Sequence, residues 1–176
     1  MGACCGHLFG DKDARVMIVG LDNAGKTTLL YQYLGFPGPS TKTVGSNIET
    51  LELNHQLYTA WDHSGQDKVR PLWRLYTQNT RALIFVVDAT DTARLDQAAK
   101  ELKQIAAEEE LENVPVLMYA NKQDIKGAMS GPAIEKRLAM DQLHQKRWHV
   151  QPSSATTGRG VIDGMEWLAS ALKSKR

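Results

Sequence analysis

The chain has 176 residues, 42% hydrophobic and 23% charged, with a formal net charge of +1. That length suits one domain and a core without disulfide staples, and the near-neutral charge gives no field favouring nucleic acid as a partner. No apolar run reaches the ~18 residues of a membrane span, no secretory leader pattern opens the chain, and the only cysteines are the adjacent Cys4 and Cys5, which excludes a disulfide framework and fits a reducing compartment.

Taken in chain order, Arg15 to Gly20 reads as a strand and Lys26 to Leu34 as a helix. Gly35-Phe36-Pro37-Gly38-Pro39-Ser40 is a loop by its glycines and prolines. Asn47 to Leu53 and Leu57 to Asp62 form a hairpin joined at Asn54-His55-Gln56. Ala82 to Asp88 is a continuous apolar strand ending in a carboxylate. Ala93 to Leu111 has helical spacing, with Leu95, Ala98, Leu102, Ile105 and Ala106 on one face. Pro115 to Ala120 is a buried strand, Ile134 to Leu138 a short helix, Trp148 to Gln151 a short strand, and Val161 to Leu172 a closing helix. Apolar strands alternating with helices predict an α/β domain over residues 15–176, preceded by a tail over 1–14. Its central sheet is mostly parallel, with one antiparallel edge strand and helices on both faces. In such sheets ligands bind beyond the carboxyl ends of the strands.

The motif with the most chemical content follows the first strand. Gly20-Leu21-Asp22-Asn23-Ala24-Gly25-Lys26-Thr27 fits the phosphate-loop pattern G-x-x-x-x-G-K-[ST] between a strand and a helix, and Thr28 continues it. Glycines let the backbone bend around an anion, so successive amides point at phosphates, and the helix N-terminus adds its positive dipole end. Lys26 supplies a point charge to the β- and γ-phosphates, and the Thr27 hydroxyl can ligate Mg²⁺.

Trp61-Asp62-His63-Ser64-Gly65-Gln66 follows the strand that ends near Asp62. An aspartate at a strand end can hold Mg²⁺ through water. Gly65 lets its amide approach a γ-phosphate, and neutral Gln66 can orient an attacking water as both donor and acceptor. Asn121-Lys122-Gln123-Asp124 follows another strand. A guanine edge presents two donors that the Asp124 carboxylate accepts together. A mismatched base would leave that carboxylate buried and unpaired. Asn121 can bridge base and loop, and the Lys122 stem can lie on the ring. In Ser154-Ala155-Thr156 a small residue lets backbone amides reach the base oxygen. Thr43, in the loop after the first helix, can bond Mg²⁺ and a γ-phosphate only while that phosphate exists, which makes its loop a switch.

These motifs, in this order, resemble the small GTPases. The intervening stretches Thr43-Val44-Gly45, Asn47-Ile48-Glu49-Thr50, Gln66-Asp67-Lys68-Val69-Arg70-Pro71-Leu72-Trp73-Arg74, Gln78-Asn79-Thr80 and Ala120-Asn121-Lys122-Gln123-Asp124 are similar to the Arf and Arf-like branch, from Arg15 to Leu172. The resemblance implies a switch that binds GTP or GDP with Mg²⁺ and hydrolyses GTP slowly, because the family lacks a built-in arginine finger. Supplied in trans, such a finger is worth roughly 10³–10⁵ in rate. It implies exchange factors, activating proteins and effectors acting through residues 36–50 and 62–80, and a role in membrane traffic or a related membrane-linked process. Three residues depart from the family's pattern: Ser64 stands where it usually has glycine, Ser46 where it has phenylalanine, and His63 where it has an apolar residue. A Cβ at Ser64 restricts the backbone there. Ser64 and Ser46 motivate an alternative: a GTP-binding scaffold that cycles poorly.

Met1-Gly2-Ala3-Cys4-Cys5-Gly6 begins like an N-myristoylation signal, with Gly6 in place of the preferred Ser or Thr. One myristoyl chain binds membranes only marginally, at K of about 10⁴ M⁻¹. Cys4 and Cys5 offer sites for palmitate as the second signal; the plain alternative is a tail with two unmodified thiols. The expectation is a cytoplasmic protein reversibly associated with endomembranes, such as Golgi, or with the plasma membrane. A phosphate-loop kinase is a third class, but Ala128 to Gln145 lacks the arginine concentration of a phosphate lid and Asn121-Lys122-Gln123-Asp124 would have no task. Trp148, Trp167, Met17, Met118 and Met165 read as packing residues, Glu108-Glu109-Glu110 as a solvated helix end, and the five scattered histidines give no zinc spacing.

Overall fold

A computed structural model of the chain describes residues 14–36 and 45–173. Among the described residues six strands form one sheet in the order β2-β3-β1-β4-β5-β6. They span Arg15–Val19 (β1), Ser46–Leu53 (β2), Gln56–His63 (β3), Thr80–Asp88 (β4), Val116–Asn121 (β5) and Trp148–Pro152 (β6). Only β2 runs antiparallel, paired to β3 from Ser46 opposite His63 to Leu53 opposite Gln56. The hairpin turn is thus the two residues Asn54 and His55, both left-handed with φ of 53° and 61°, a geometry matched to strand twist.

Helices α1 (Lys26–Leu34) and α4 (Val161–Lys173) cover one face of the sheet, and α2 (Leu95–Ala106) and α3 (Gly131–Arg137) cover the other. The period-2 alternation of β1 explains both cores. Val16 and Ile18 pack with Leu29, Leu30, Met165 and Leu168, while Met17 and Val19 pack with Leu95, Leu102, Ile134 and Leu138. Met17, Met118 and Met165 are all buried, and Trp148 and Trp167 are half-buried packing residues.

The helix expected over Ala93 to Leu111 is shorter. The predicted face, Leu95 through Ala106, is buried as expected. Continued helically, that face would next carry Glu109 into the core. The chain instead leaves the helix at Ala107, and a separate 3₁₀ turn, Glu109–Leu111, returns Leu111 to the interior. The glutamate run therefore lies in that turn and not at a helix end. Helix α3 starts earlier than expected, at Gly131, where Ser130 and Pro132 supply a helix start.

Candidate functional site

The motifs converge beyond the carboxyl ends of β1, β3, β5 and β6. The phosphate loop leaves β1 at Gly20 and enters α1 through Gly25, which is left-handed at φ 95°. A Cβ at Gly25 would stand 2.3 Å from Asn121 Nδ2, so both conformation and space require glycine. Leu21 and Ala24 are buried supports of the loop, whereas Asn23 and Thr28 are exposed. Lys26 is buried, and its ammonium donates to the Gly20 and Leu21 carbonyls at 3.0 and 2.9 Å. Burial lowers its pKa to about 8, against the opposing pull of the Asp62 and Asp22 carboxylates.

The Thr27 hydroxyl donates to Asp62 Oδ2, an oxygen that also accepts from Asn47 Nδ2 at 3.3 Å. Asp62 is fully buried at the end of β3. A hydroxyl and a carboxylate in contact are hard oxygen donors that fit a small divalent cation. Among the described residues no cluster of three or more His, Cys, Asp or Glu side chains stands ready for a metal. Thr43, Gly2, Cys4 and Cys5 lie outside the described residues.

Gly65 rests on the phosphate loop. Its carbonyl accepts the Asp22 amide at 3.1 Å, and a Cβ on it would come within 2.3 Å of Asp22 N and Gly20 O. Gln66 is exposed; its amide reaches Ser64 Oγ at 3.4 Å, and its carbonyl accepts the Val69 and Arg70 amides. Ser64 is buried without left-handed backbone, so its Cβ is accommodated in this conformation. Its amide donates to Gly45 O at 2.8 Å, and its carbonyl accepts from Trp73 Nε1 at 3.1 Å.

At the other end Asn121, 1% exposed, ties three loops together. Its Nδ2 donates to Ala24 O at 2.9 Å, and its Oδ1 accepts the Ala155 amide at 2.9 Å and the Ser153 hydroxyl at 3.4 Å. Ser154 and Ala155 are buried beside it. Asp124 is exposed: it sits on the rim past β5, with the Thr156 hydroxyl 3.5 Å away. Hydrogen bonding from Ser154 holds its carboxyl below the usual range.

Two side chains escaped the sequence reading. Asp88 ion-pairs with Lys122 Nζ at 2.6 Å and accepts the Thr90 amide and hydroxyl at 2.9 and 2.6 Å. Burial pushes the Asp88 carboxyl up, but Lys122 and Thr90 outweigh it and hold it low. The signal was present, since Ala82 to Val87 of β4 is an unbroken apolar run that ends in this one carboxylate. Arg94 binds the phosphate-loop Asp22 at 2.8 Å and Asp91 at 2.6 Å, a pairing that spans 72 residues and has no local sequence mark.

A parallel sheet carrying a phosphate loop, a strand-end aspartate and an Asn-Lys-x-Asp turn at one edge defines a small GTPase. The family model of the ADP-ribosylation factor family matches residues 1–172, and the chain belongs to that family. A similar solved structure is the Arl6 BBS3 small GTPase from Trypanosoma brucei with a bound nucleotide analogue, GppNp. It is 33% identical, with a TM-score of 0.85, over 94% of this chain and 100% of that one. Arf-like GTPases bind GTP and GDP, hydrolyse GTP, and work with regulators and effectors.

Proposed function

We propose that this chain is a Mg²⁺-dependent guanine-nucleotide switch whose GTP and GDP forms differ around Thr43, Gly65 and Gln66. The observation that carries the reading is Asn121, whose one side chain joins the phosphate loop to the Ala155 loop, so that phosphate and base grips form one site. In this reading Gly20 to Thr28 cradle the phosphates, and Lys26 supplies the buried charge. Asn121, Lys122, Asp124, Ser154 and Ala155 read the base. Thr27, Thr43 and, through water, Asp62 are the residues that would hold magnesium. Bound there, the ion supplies charge neutralisation at the β- and γ-phosphates. Gly65 meets the γ-phosphate with its amide, and Gln66 aligns the water.

Intrinsic hydrolysis is slow in this proposal. Arg70 is engaged by Asp67 and Glu101, and Arg94 by Asp22 and Asp91, so neither guanidinium stands ready for transition-state charge. Ile48, Leu72 and Leu75 expose large apolar side chains within the segments assigned to regulators and effectors. The chain is proposed to be cytoplasmic and to reach membranes through acylation of Gly2, with Cys4 or Cys5. Intact mass from a eukaryotic host showing all three bare would remove that part.

The test is loading with GDP and with GTP, the bound nucleotide identified by chromatography, while tryptophan emission is followed. Trp73 is bonded to the Ser64 carbonyl, so motion of that segment registers in its emission. Lys26→Ala should abolish tight binding of both nucleotides; retained affinity would place the site elsewhere. A second reading, a scaffold that cycles poorly, is favoured by the three contacts that pin Ser46 and Ser64. Equal partner binding by the GDP and GTP forms would support it against the switch.

A further inference from the structure

The three residues that set this chain apart, Ser46, His63 and Ser64, meet at one point. Ser46 and His63 are the first register pair of the β2–β3 ladder, and Ser46 Oγ lies 2.7 Å from His63 Nδ1. The His63 ring is 1% exposed and packs on Tyr76 and Trp61, with centroids 4.7 and 6.0 Å away. Its other nitrogen, Nε2, is buried with no hydrogen-bond partner among the described residues. Ser46 therefore satisfies the only ring nitrogen that is paired.

The next register pair is Asn47 with Asp62. Asn47 donates to the same Asp62 oxygen that takes the Thr27 hydroxyl. One residue step thus separates the Ser46–His63 bond from the donor set that fits a divalent cation. Apolar side chains at 46 and 63 would hold the strands by contact that tolerates small displacements. A hydrogen bond tolerates them less, because it weakens steeply once its distance and angle leave a narrow range.

We propose that Ser46 and His63 are a positioning pair for the nucleotide site. Their hydrogen bond holds the base of the β2–β3 ribbon in the register that presents Asn47 and Asp62 to Thr27. The pair thereby sets how long the chain retains guanine nucleotide with its cation. The inference rests on the guanine-nucleotide reading above and adds to it two residues one register step from the Asn47–Asp62 pair.

The test is release of N-methylanthraniloyl-GDP from the full chain, with magnesium present and with magnesium chelated. Ser46→Ala strips the imidazole of its single partner and should speed release about tenfold with magnesium present, the scale of one buried hydrogen bond lost. With magnesium chelated that difference should vanish, because the pair acts through Asp62 and Thr27. Ser46→Thr keeps the hydroxyl and should release at about the wild-type rate. Ser46→Ala combined with His63→Leu should release no faster than Ser46→Ala alone, since the stranded imidazole is gone.

Release by Ser46→Ala at the wild-type rate overturns the pairing. So does acceleration that is equal with and without magnesium, which a general loosening of the fold would give. Multiplication of the two single effects in the double variant overturns it too, as does acceleration by Ser46→Thr. A wild-type chain that does not hold the GDP analogue overturns the nucleotide reading itself. One that holds it, with Ser46→Ala unaltered, overturns the positioning pair alone.

Discussion

Lowering the pH below 6.5 should destabilise this protein through one residue, His63. Burial, and then the nearby Lys26 ammonium, lower its pKa from 6.5 to about 4. A histidine depressed on folding is neutral in the folded chain and protonated in the unfolded one between those two values. The unfolded state binds more protons there, so stability falls as pH drops through 6.5 and the loss is complete near 4. Over the whole window the loss is about 3 kcal/mol, and between pH 7 and pH 5 about 2 kcal/mol. Lys26 does not contribute in that range, because its folded value of about 8 leaves it protonated in both states.

The assay is urea denaturation of wild type and His63→Leu at pH 7 and pH 5, at one fixed nucleotide concentration. Wild type should lose about 2 kcal/mol more than the variant, equivalent to roughly 4–8 °C in Tm. Leucine also removes the unpaired Nε2, and Ser46 is half-buried and can turn its hydroxyl to water, so the variant should fold at pH 7. Parallel losses in the two proteins would refute the reasoning and place the ring where water or another acceptor reaches it.

Gln66→Leu should leave GTP bound and slow its hydrolysis about 10- to 100-fold, the scale of a misplaced reacting group; single-turnover phosphate release measures this, and an unchanged rate removes Gln66 from the reaction. Gly65→Ala would place a Cβ within 2.3 Å of the phosphate loop, so the GTP-dependent change in tryptophan emission should disappear while GDP binding survives. Asp88→Asn takes the charge partner from Lys122 and should speed GDP release about tenfold without altering hydrolysis by the GTP-loaded form; unchanged release in a stopped-flow assay would show that Lys122 holds its place unaided.

Much of this was legible in the chain because the signals were local. Strands β1, β4 and β5 were visible as apolar runs and β2 with β3 as a hairpin, and the motifs at Gly20, Asp62, Asn121 and Ser154 each lay just beyond a strand. The left-handed Lys122 (φ 67°) gives no such mark: that conformation is uncommon outside glycine and follows from the turn in which its ammonium reaches Asp88. What stayed hidden depends on tertiary distance. Arg94 and Asp22 are joined only by the fold. The end of α2 sits between these cases. Glu109 on the apolar face could have announced it, but helical spacing before it was strong enough to mask one charge.

The same separation bears on whether the departures at 46, 63 and 64 impair binding or only response. Phosphate and base grips sit on β1, β5 and β6, where Asn121 locks the loops together at 2.9 Å on both sides. All three departures sit on the β2–β3 half of the sheet, which meets the grips through Asp62 and Gly65. A polar pin in that half changes how readily β2 and β3 move while leaving the Asn121 contacts in place. The chain should therefore still hold GDP, and what is distinctive in it should appear in rates: of nucleotide release, of the emission change on GTP loading, and of hydrolysis. If Ser46→Ala raised the release rate while Asn121→Ala abolished binding outright, the two halves would be shown to serve these two tasks separately. If both variants lost affinity alike, the sheet would act as one unit, and the scaffold reading would gain over the switch.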